Sequence, residues 1–396
     1  MIILADAGLH AHLLPLTFTR PVGALRPGIL TIGEAWARMT EMPVGYRTEA
    51  YLQAKHPLHA EQAIIEVVGG LLPTPDVVGA VLDLEPGQML LSGQRVLAFH
   101  GEGLGGPSIA DWSIPPAYLR PVQFTGELVL IERPWQMYQH CGRAIVNDFA
   151  LLTEGRRSQP ISALNTVVGD PSLIFLEQGA EVEASILNTK NGPIYLGRGA
   201  EVMEGCMVRG PVALGEGAVL KMGAKVYGPS AFGPECRVGG EVNNSVLQGY
   251  SNKGHDGFLG NSVLGEWCNL GADTNNSNLK NTYGSVQAFS YATNGQVDTG
   301  LQFCGLVMGD HSKSGINTMF NTGTVVGVAA NVFGGGFPPK HVPSFVWGGA
   351  EGFSEHTLSK ALETAQRVME RRHVPLTAID RASLAHGHLA TARQRG

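Results

Sequence analysis

The chain has 396 residues with 28 Lys and Arg against 34 Asp and Glu, a net charge of −6, and 53 glycines. That balance, with both signs interspersed, argues against a protein that coats nucleic acid, which needs a basic face. No stretch approaches the ~20 apolar residues of a membrane span, the apolar opening is too short for a secretory core, and five scattered cysteines without a C-x-x-C fit a reducing cytoplasm better than a disulfide scaffold.

In chain order, Ile2-Ile3-Leu4 reads as a first strand. Residues 28–39 read as strand or turn and then helix, and Pro73-Thr74-Pro75-Asp76 starts a second helix running through Leu82. Residues 101–107 read as a loop. Asn147-Asp148 and Gly155-Arg156-Arg157-Ser158 form a junction to the next domain. This mix predicts an α/β domain over 1–165.

From there to residue 350 the period is six. Leu196, Val202, Val208, Leu214, Leu220, Val226, Phe232 and Val238 are all apolar. Four places beyond, Ala200, Cys206, Ala218, Ala224, Ser230 and Cys236 are small, with Val212 the exception. A helix repeats near 3.6 and a flat strand at 2, so neither explains a period of six. One short strand plus a corner does, and three such sides make a triangular coil of about 18 residues with the large residue inside. The spacing is kept by Phe258, Leu264 and Leu270, and again by Met308, Ser314, Phe320, Val326 and Val332. Residues 281–299, between these runs, read as a loop or hairpin thrown out from the wall. The pattern resembles the hexapeptide-repeat family, which implies a left-handed parallel β-helix, an exception to the right-handed crossover rule. Over 351–396, Leu358, Leu362, Ala365, Val368 and Met369 fall at helical spacing, with Ser354 as a candidate cap.

The polar interruption Ser251-Asn252-Lys253-Gly254-His255-Asp256-Gly257 is the candidate for chemistry. One coil on comes Asn269-Leu270-Gly271-Ala272-Asp273, and then the Asn-rich run ending Asn278-Leu279-Lys280, so that His255 and these amides share one stripe or corner. Acetylation of an amine needs a base that titrates near neutrality, which imidazole supplies. It needs amide donors for the tetrahedral oxyanion. A phosphorylated acceptor needs fixed positive charge, available in Lys253 and Lys280.

Gly254-His255-Asp256-Gly257-Phe258-Leu259-Gly260, Gly271-Ala272-Asp273-Thr274 and Asn278-Leu279-Lys280 resemble the acetyltransferase half of the bifunctional glucosamine-1-phosphate acetyltransferase/N-acetylglucosamine-1-phosphate uridyltransferase family. Gly309-Asp310-His311-Ser312-Lys313-Ser314-Gly315 and Gly323-Thr324 are similar to its archaeal sugar-1-phosphate branch. The resemblance implies His255 as general base and Asn278 as an oxyanion or substrate contact. It implies Lys253, Phe258, Asn269 and Lys280 around an amino-sugar phosphate, and Gly309, Ser312, Lys313 and Thr324 toward acetyl-CoA. It further implies a homotrimer with sites between subunits, in the cytoplasm that the cysteine pattern already suggests. Phe258 stands where the family often has Tyr, and Asn243-Asn244 where it has a basic pair, so the acceptor is less defined than the reaction.

At the other end, Ile3-Leu4-Ala5-Asp6-Ala7-Gly8 and Leu14-Pro15-Leu16-Thr17-Phe18-Thr19-Arg20-Pro21 resemble the start of sugar nucleotidyltransferases in truncated form. There backbone N–H groups cradle a triphosphate and cations neutralise the moving phosphoryl. The Gly-rich turn is here reduced to Ala7-Gly8, and Val22 replaces the lysine after proline. Arg20 and Arg26 are the candidate phosphate contacts. Asp6, ahead of Asp76 and Asp148, is the candidate Mg²⁺ ligand. The whole reads as an enzyme that acetylates glucosamine 1-phosphate and joins the product to a uridylyl group from a nucleoside triphosphate, UTP. Two readings compete with it. In one, the first domain only binds a nucleotide sugar and the β-helix acetylates another amino sugar. In the other, the β-helix is a non-catalytic trimeric assembly module.

Overall fold

A computed structural model describes residues 1–58, 64–101 and 112–395. The chain divides into two compact units. The first comprises Met1–Leu13, Arg20–Leu25 and Leu30–Arg133; the second comprises Leu14–Thr19, Arg26–Ile29 and Pro134–Gly396.

The first unit is an α/β domain built on a mixed sheet. Strand Ile2–Ala5 lies parallel to Val44–Arg47 on one side and to Ile64–Val68 on the other. Antiparallel strands Arg95–Gly101 and Gln88–Ser92 extend the sheet. Ile2, Ile3 and Leu4 are wholly buried, as expected of a central strand covered on both faces. Helix Ile32–Thr40 begins at a capping box, Thr31 with Glu34. Helix Pro75–Leu82 takes Thr74 as its cap and proline in its first turn. Both helices and the first strand stand where the sequence predicts them. Of the expected loop, 102–107 lies outside the described residues.

The second unit is a parallel β-solenoid. Its walls are sheets of six, nine and ten strands, and nearly every pairing is parallel, between successive coils. The large hexad residues form one interior column: Leu196, Leu214, Phe232, Leu247, Leu264, Met308, Val326 and Val342 are register partners in turn. All are buried. The small residues sit at corners, where serine hydroxyls accept from backbone amides of the next coil, as Ser185 does from Cys206 and Ser251 from Cys268. Glycine is required where coils touch most closely. A Cβ on Gly233 would meet the Gln248 carbonyl oxygen at 1.9 Å.

The coils are not uniform, and this corrects the phase read from sequence. Leu214 to Phe232 is 18 residues, Phe232 to Leu247 is 15, and Leu247 to Leu264 is 17. The shortened coils put Leu259 inside, opposite Val242, and turn Phe258 outward opposite Glu241. Leu264 to Met308 is 44 residues. The excess includes the expected excursion, an antiparallel hairpin of Gln287–Ser290 with Gly295–Asp298.

Two further elements correct the sequence reading. Asn147 and Asp148 lie inside an 18-residue helix, Gln136–Thr153, rather than in a junction. Ser354 belongs to strand Gly352–Glu355, and the next helix, Leu358–Glu370, starts after Thr357. A second helix, Ala378–Ala390, was not predicted. Ala361, Ala365 and Leu384 from these helices pack with Phe18, Val328 and Phe345. Among the described residues, no helix is long and apolar enough to cross a membrane.

Candidate functional site

His255 sits exposed at a solenoid corner, in a bend between strand Asn252–Lys253 and strand Phe258–Gly260. The bend needs room beneath it, and Gly239-Gly240 supplies it. A Cβ on Gly239 would meet the Gly254 carbonyl oxygen at 2.5 Å, and one on Gly240 the His255 carbonyl oxygen at 2.9 Å. From below, the Lys253 ammonium donates to the carbonyls of Gly239 at 3.1 Å, His255 at 2.5 Å and Asp256 at 3.3 Å. Lys253 is 1% exposed. Burial pulls its ammonium down to about 8, against the pull of Asp256 and Asp273. The expectation that Lys253 meets a sugar phosphate is therefore corrected: its three donors are spent on the underside of the histidine bend.

One wall runs into this corner and another leaves it. On the first, the outward positions Arg237, Asn252, Asn269, Lys313 and Asn331 are register partners and half-buried. Asn252 Nδ2 donates to Asn269 Oδ1 at 2.8 Å. On the second, Phe258 faces out, and its N–H donates to Asn275 Oδ1 on the next coil at 2.7 Å. The coil spacing proposed for His255 and Asp273 has a direct counterpart, since Asp273 N–H donates to the Asp256 carbonyl at 3.1 Å.

Asn278 is not at this corner. It donates to Asn261 Oδ1 at 2.8 Å, at the far end of strand Phe258–Gly260. His255 and Asn261 are six residues apart, up to about 20 Å of extended chain. Within one chain the expected single stripe is thus corrected to two clusters: His255 with Asn252, Asn269, Phe258 and Asn275, and Asn278 with Asn261 and Lys280. The Lys280 ammonium donates to the Ser285 carbonyl.

The residues expected to face acetyl-CoA divide similarly. Ser312 is wholly buried, donates to the Gly327 carbonyl at 2.6 Å and accepts from Ala330 N–H at 3.0 Å. Thr324, also wholly buried, donates to the Asn321 carbonyl at 2.9 Å. Gly309 is closed in, since a Cβ there would meet Gly327 at 2.9 Å and Pro15 at 3.0 Å. These three are corner and close-contact positions of the coil, with the Ser312 and Thr324 hydroxyls engaged by neighbouring backbone. Lys313 keeps a half-exposed place on the polar stripe, its ammonium on the His311 carbonyl at 2.8 Å.

In the first unit, the C-terminal ends of the three parallel strands carry Asp6, Thr48 and Gly69, the edge at which open α/β sheets bind ligands. Ala7 and Gly8 turn the chain there in left-handed conformations. Asp6 is buried; Oδ1 accepts from Val22 N–H at 2.8 Å and Oδ2 from the Thr48 hydroxyl at 2.5 Å. Burial lifts its carboxyl to about 6, against both hydrogen bonds. A single carboxylate with both oxygens engaged is a poor fit for Mg²⁺, which usually takes one or two carboxylates together with substrate phosphates. Among the described residues, no three His, Cys, Asp or Glu side chains assemble as a metal site. Asp76 lies in the first turn of helix Pro75–Leu82, and Asp148 belongs to the second unit.

Arg20 is buried in the first unit. Arg26 belongs to the second, where its N–H donates to Gln248 Oε1 at 2.8 Å and its guanidinium to the Ile29 carbonyl at 2.5 Å. The Leu-Thr-Phe-Thr segment likewise lies in the second unit: Thr19 donates to Asp310 Oδ2 at 2.5 Å, and Phe18 meets Tyr291 edge to face. These packing contacts leave no separate signature in the sequence. Gly239-Gly240 and Asn275 do show there, as a glycine pair and as part of an Asn run, but neither pattern by itself points to the histidine bend.

Residues 1–157 match the Sugar nucleotidyl transferase family. No curated protein matches the chain. Among solved structures, the chain is similar to an Arabidopsis UDP-N-acetylglucosamine acyltransferase at 14% identity and a TM-score of 0.21, covering 54% of this chain and 82% of that one. A likeness of that degree carries no argument about activity.

Proposed function

We propose that the chain is a transferase with two sites: acetyl transfer from acetyl-CoA to the amine of an amino-sugar 1-phosphate, glucosamine 1-phosphate first among candidates, and nucleotidyl transfer from UTP at the first domain. The observation that carries the first reaction is an exposed imidazole on a corner held rigid from inside by Lys253, with amide side chains on the adjoining wall. A reacting group placed on a fixed scaffold loses little entropy in the transition state. In the reaction the amine nitrogen attacks the thioester carbonyl, the C–S bond breaks, and the amine proton passes to His255 and on to the departing thiolate. Asn278 can serve as oxyanion donor only if a second copy brings it to this corner, and the proposed cytoplasmic homotrimer supplies that arrangement.

The match of residues 1–157 to sugar nucleotidyl transferases supports the second reaction. Magnesium on this reading arrives with the nucleotide rather than waiting on Asp6. The shortened Ala7-Gly8 turn and the engaged Asp6 favour one rival, in which this domain binds a nucleotide sugar without turnover.

His255→Ala is expected to lower acetyl transfer to glucosamine 1-phosphate by about 10²- to 10⁴-fold, the usual weight of a general base. Mixed oligomers of His255→Ala and Asn278→Ala chains should regain part of the activity each lacks alone. A wild-type protein that acetylates none of a panel of amino-sugar phosphates leaves only the assembly-module reading. Pyrophosphate release from UTP with N-acetylglucosamine 1-phosphate tests the first domain, and nucleotide-sugar binding without release favours the rival.

A further inference from the structure

At the corner that ends strand Phe258–Gly260, successive coils stack Asn261, the pair Asn278 and Cys304, Thr322 and Lys340. Gly305 N–H donates to the Asn261 carbonyl, Cys304 N–H to the Asn278 carbonyl, and Gly323 N–H to the Cys304 carbonyl. The Lys340 ammonium reaches down to the Thr322 hydroxyl at 3.5 Å. Lys280 leaves the same column two residues after Asn278, and Leu279 bridges to Phe303 beside it.

Two ammonium groups therefore stand at one corner, Lys280 donating to the Ser285 carbonyl and Lys340 to the Thr322 hydroxyl, with the Asp298 carboxylate within electrostatic reach of Lys280. Lys340 is half-buried. Burial, and then the charge of Lys280, pull its ammonium below the usual lysine range. Asp298, at the foot of the hairpin, already accepts from Ser285 Oγ at 2.9 Å and Gly300 N–H at 2.9 Å. Like charges held together in partly desolvated surroundings repel, and a bound anion removes the penalty.

We infer that Lys280 and Lys340 form a seat for the phosphate group of a ligand, with Lys340 the residue that the motif around Lys280 does not reveal. A phosphate presents several oxygens, so two lysines can hold it as point charges without a bidentate fork. The inference rests on the proposed transferase reading only for the source of that phosphate. A sugar phosphate and the 3′-phosphate of coenzyme A share the same chemistry.

The wild-type chain is treated with an amine-reactive ester, with and without inorganic phosphate, and modification of each lysine is read by mass spectrometry. Phosphate should protect Lys280 and Lys340 at least several-fold and leave Lys55 and Lys190 unchanged; equal modification in its presence overturns the seat. Lys340→Gln should weaken calorimetric binding of inorganic phosphate at least about 10-fold, and Lys340→Arg should restore most of it. Undiminished binding to Lys340→Gln overturns the assignment of Lys340. Protection by glucosamine 1-phosphate identifies the sugar as the source, and protection by coenzyme A but not by its dephospho form identifies the coenzyme. Protection by inorganic phosphate with neither ligand bound keeps the seat and removes the proposed acetyl transfer.

Discussion

Lys253 looks in the sequence like a surface cation beside a histidine, and in the structure it is the support of that histidine's bend. Residue type and neighbourhood were legible there; direction was not, because the outward or inward facing of a strand residue depends on coil phase. Replacing Lys253 with Met keeps the stem and removes three donors, leaving the Gly239, His255 and Asp256 carbonyls without that partner. A loss of about 1–3 kcal/mol is expected, read as faster hydrogen exchange at residues 255–257. Asp6 gives the opposite sign of effect. Its folded-state pKa of about 6 lies above the ordinary 3.8. Its contribution to stability is therefore full below pH 4 and lost as pH rises through 6. By the usual conversion the loss is about 3 kcal/mol. Asp6→Asn keeps an acceptor for Val22 and removes the charge. The variant should outlast wild type in urea at pH 8 and show no such advantage at pH 4.

The hairpin of Gln287–Ser290 and Gly295–Asp298 was anticipated as an excursion, because the spacing from Leu270 to Met308 breaks the hexad count. What the sequence could not show is how the excursion is held down. Phe289 stacks on His341 with ring centroids 3.5 Å apart, and Tyr291 meets the same imidazole edge-on. Burial lowers the His341 pKa from 6.5 to about 4. The stack is therefore strongest above pH 6.5 and weakens as pH falls toward 4, since the undocked imidazole takes a proton more readily. Amide protection at residues 287–290 should decline across that window, and His341→Phe should flatten the decline. A wild-type hairpin with constant protection from pH 7 to 4 contradicts this account. Helix Gln136–Thr153 was missed for a related reason: its polar residues Asn147 and Asp148 suggest a turn until the apolar positions Met137, Cys141, Ala144, Ile145 and Phe149, all buried, are read with them.

Across the whole molecule, the three-walled solenoid was legible because eight consecutive positions six residues apart stay apolar from Leu196 to Val238. Beyond Val238 the coils shorten, so a strict period of six points to Phe258 as the inward residue where the structure has Leu259. Pairing lies between adjacent coils, so stability is close to a sum of nearest-neighbour terms. Length changes should then be felt by position. One residue inserted between Leu247 and Gln248 reverses which side chains face inward downstream in that strand. It should cost more than about 4 kcal/mol, the range of severe core damage. Three residues inserted at Thr282 should lower the unfolding free energy by no more than loop closure allows, about 0.5 kcal/mol. Equal damage from both insertions would show that the stack is not local. The 44-residue step from Leu264 to Met308 is thus a port in an otherwise fixed-pitch thread. Whatever length enters there leaves the pitch on either side unaltered, so a change of cargo at that place need not re-index the rest of the screw.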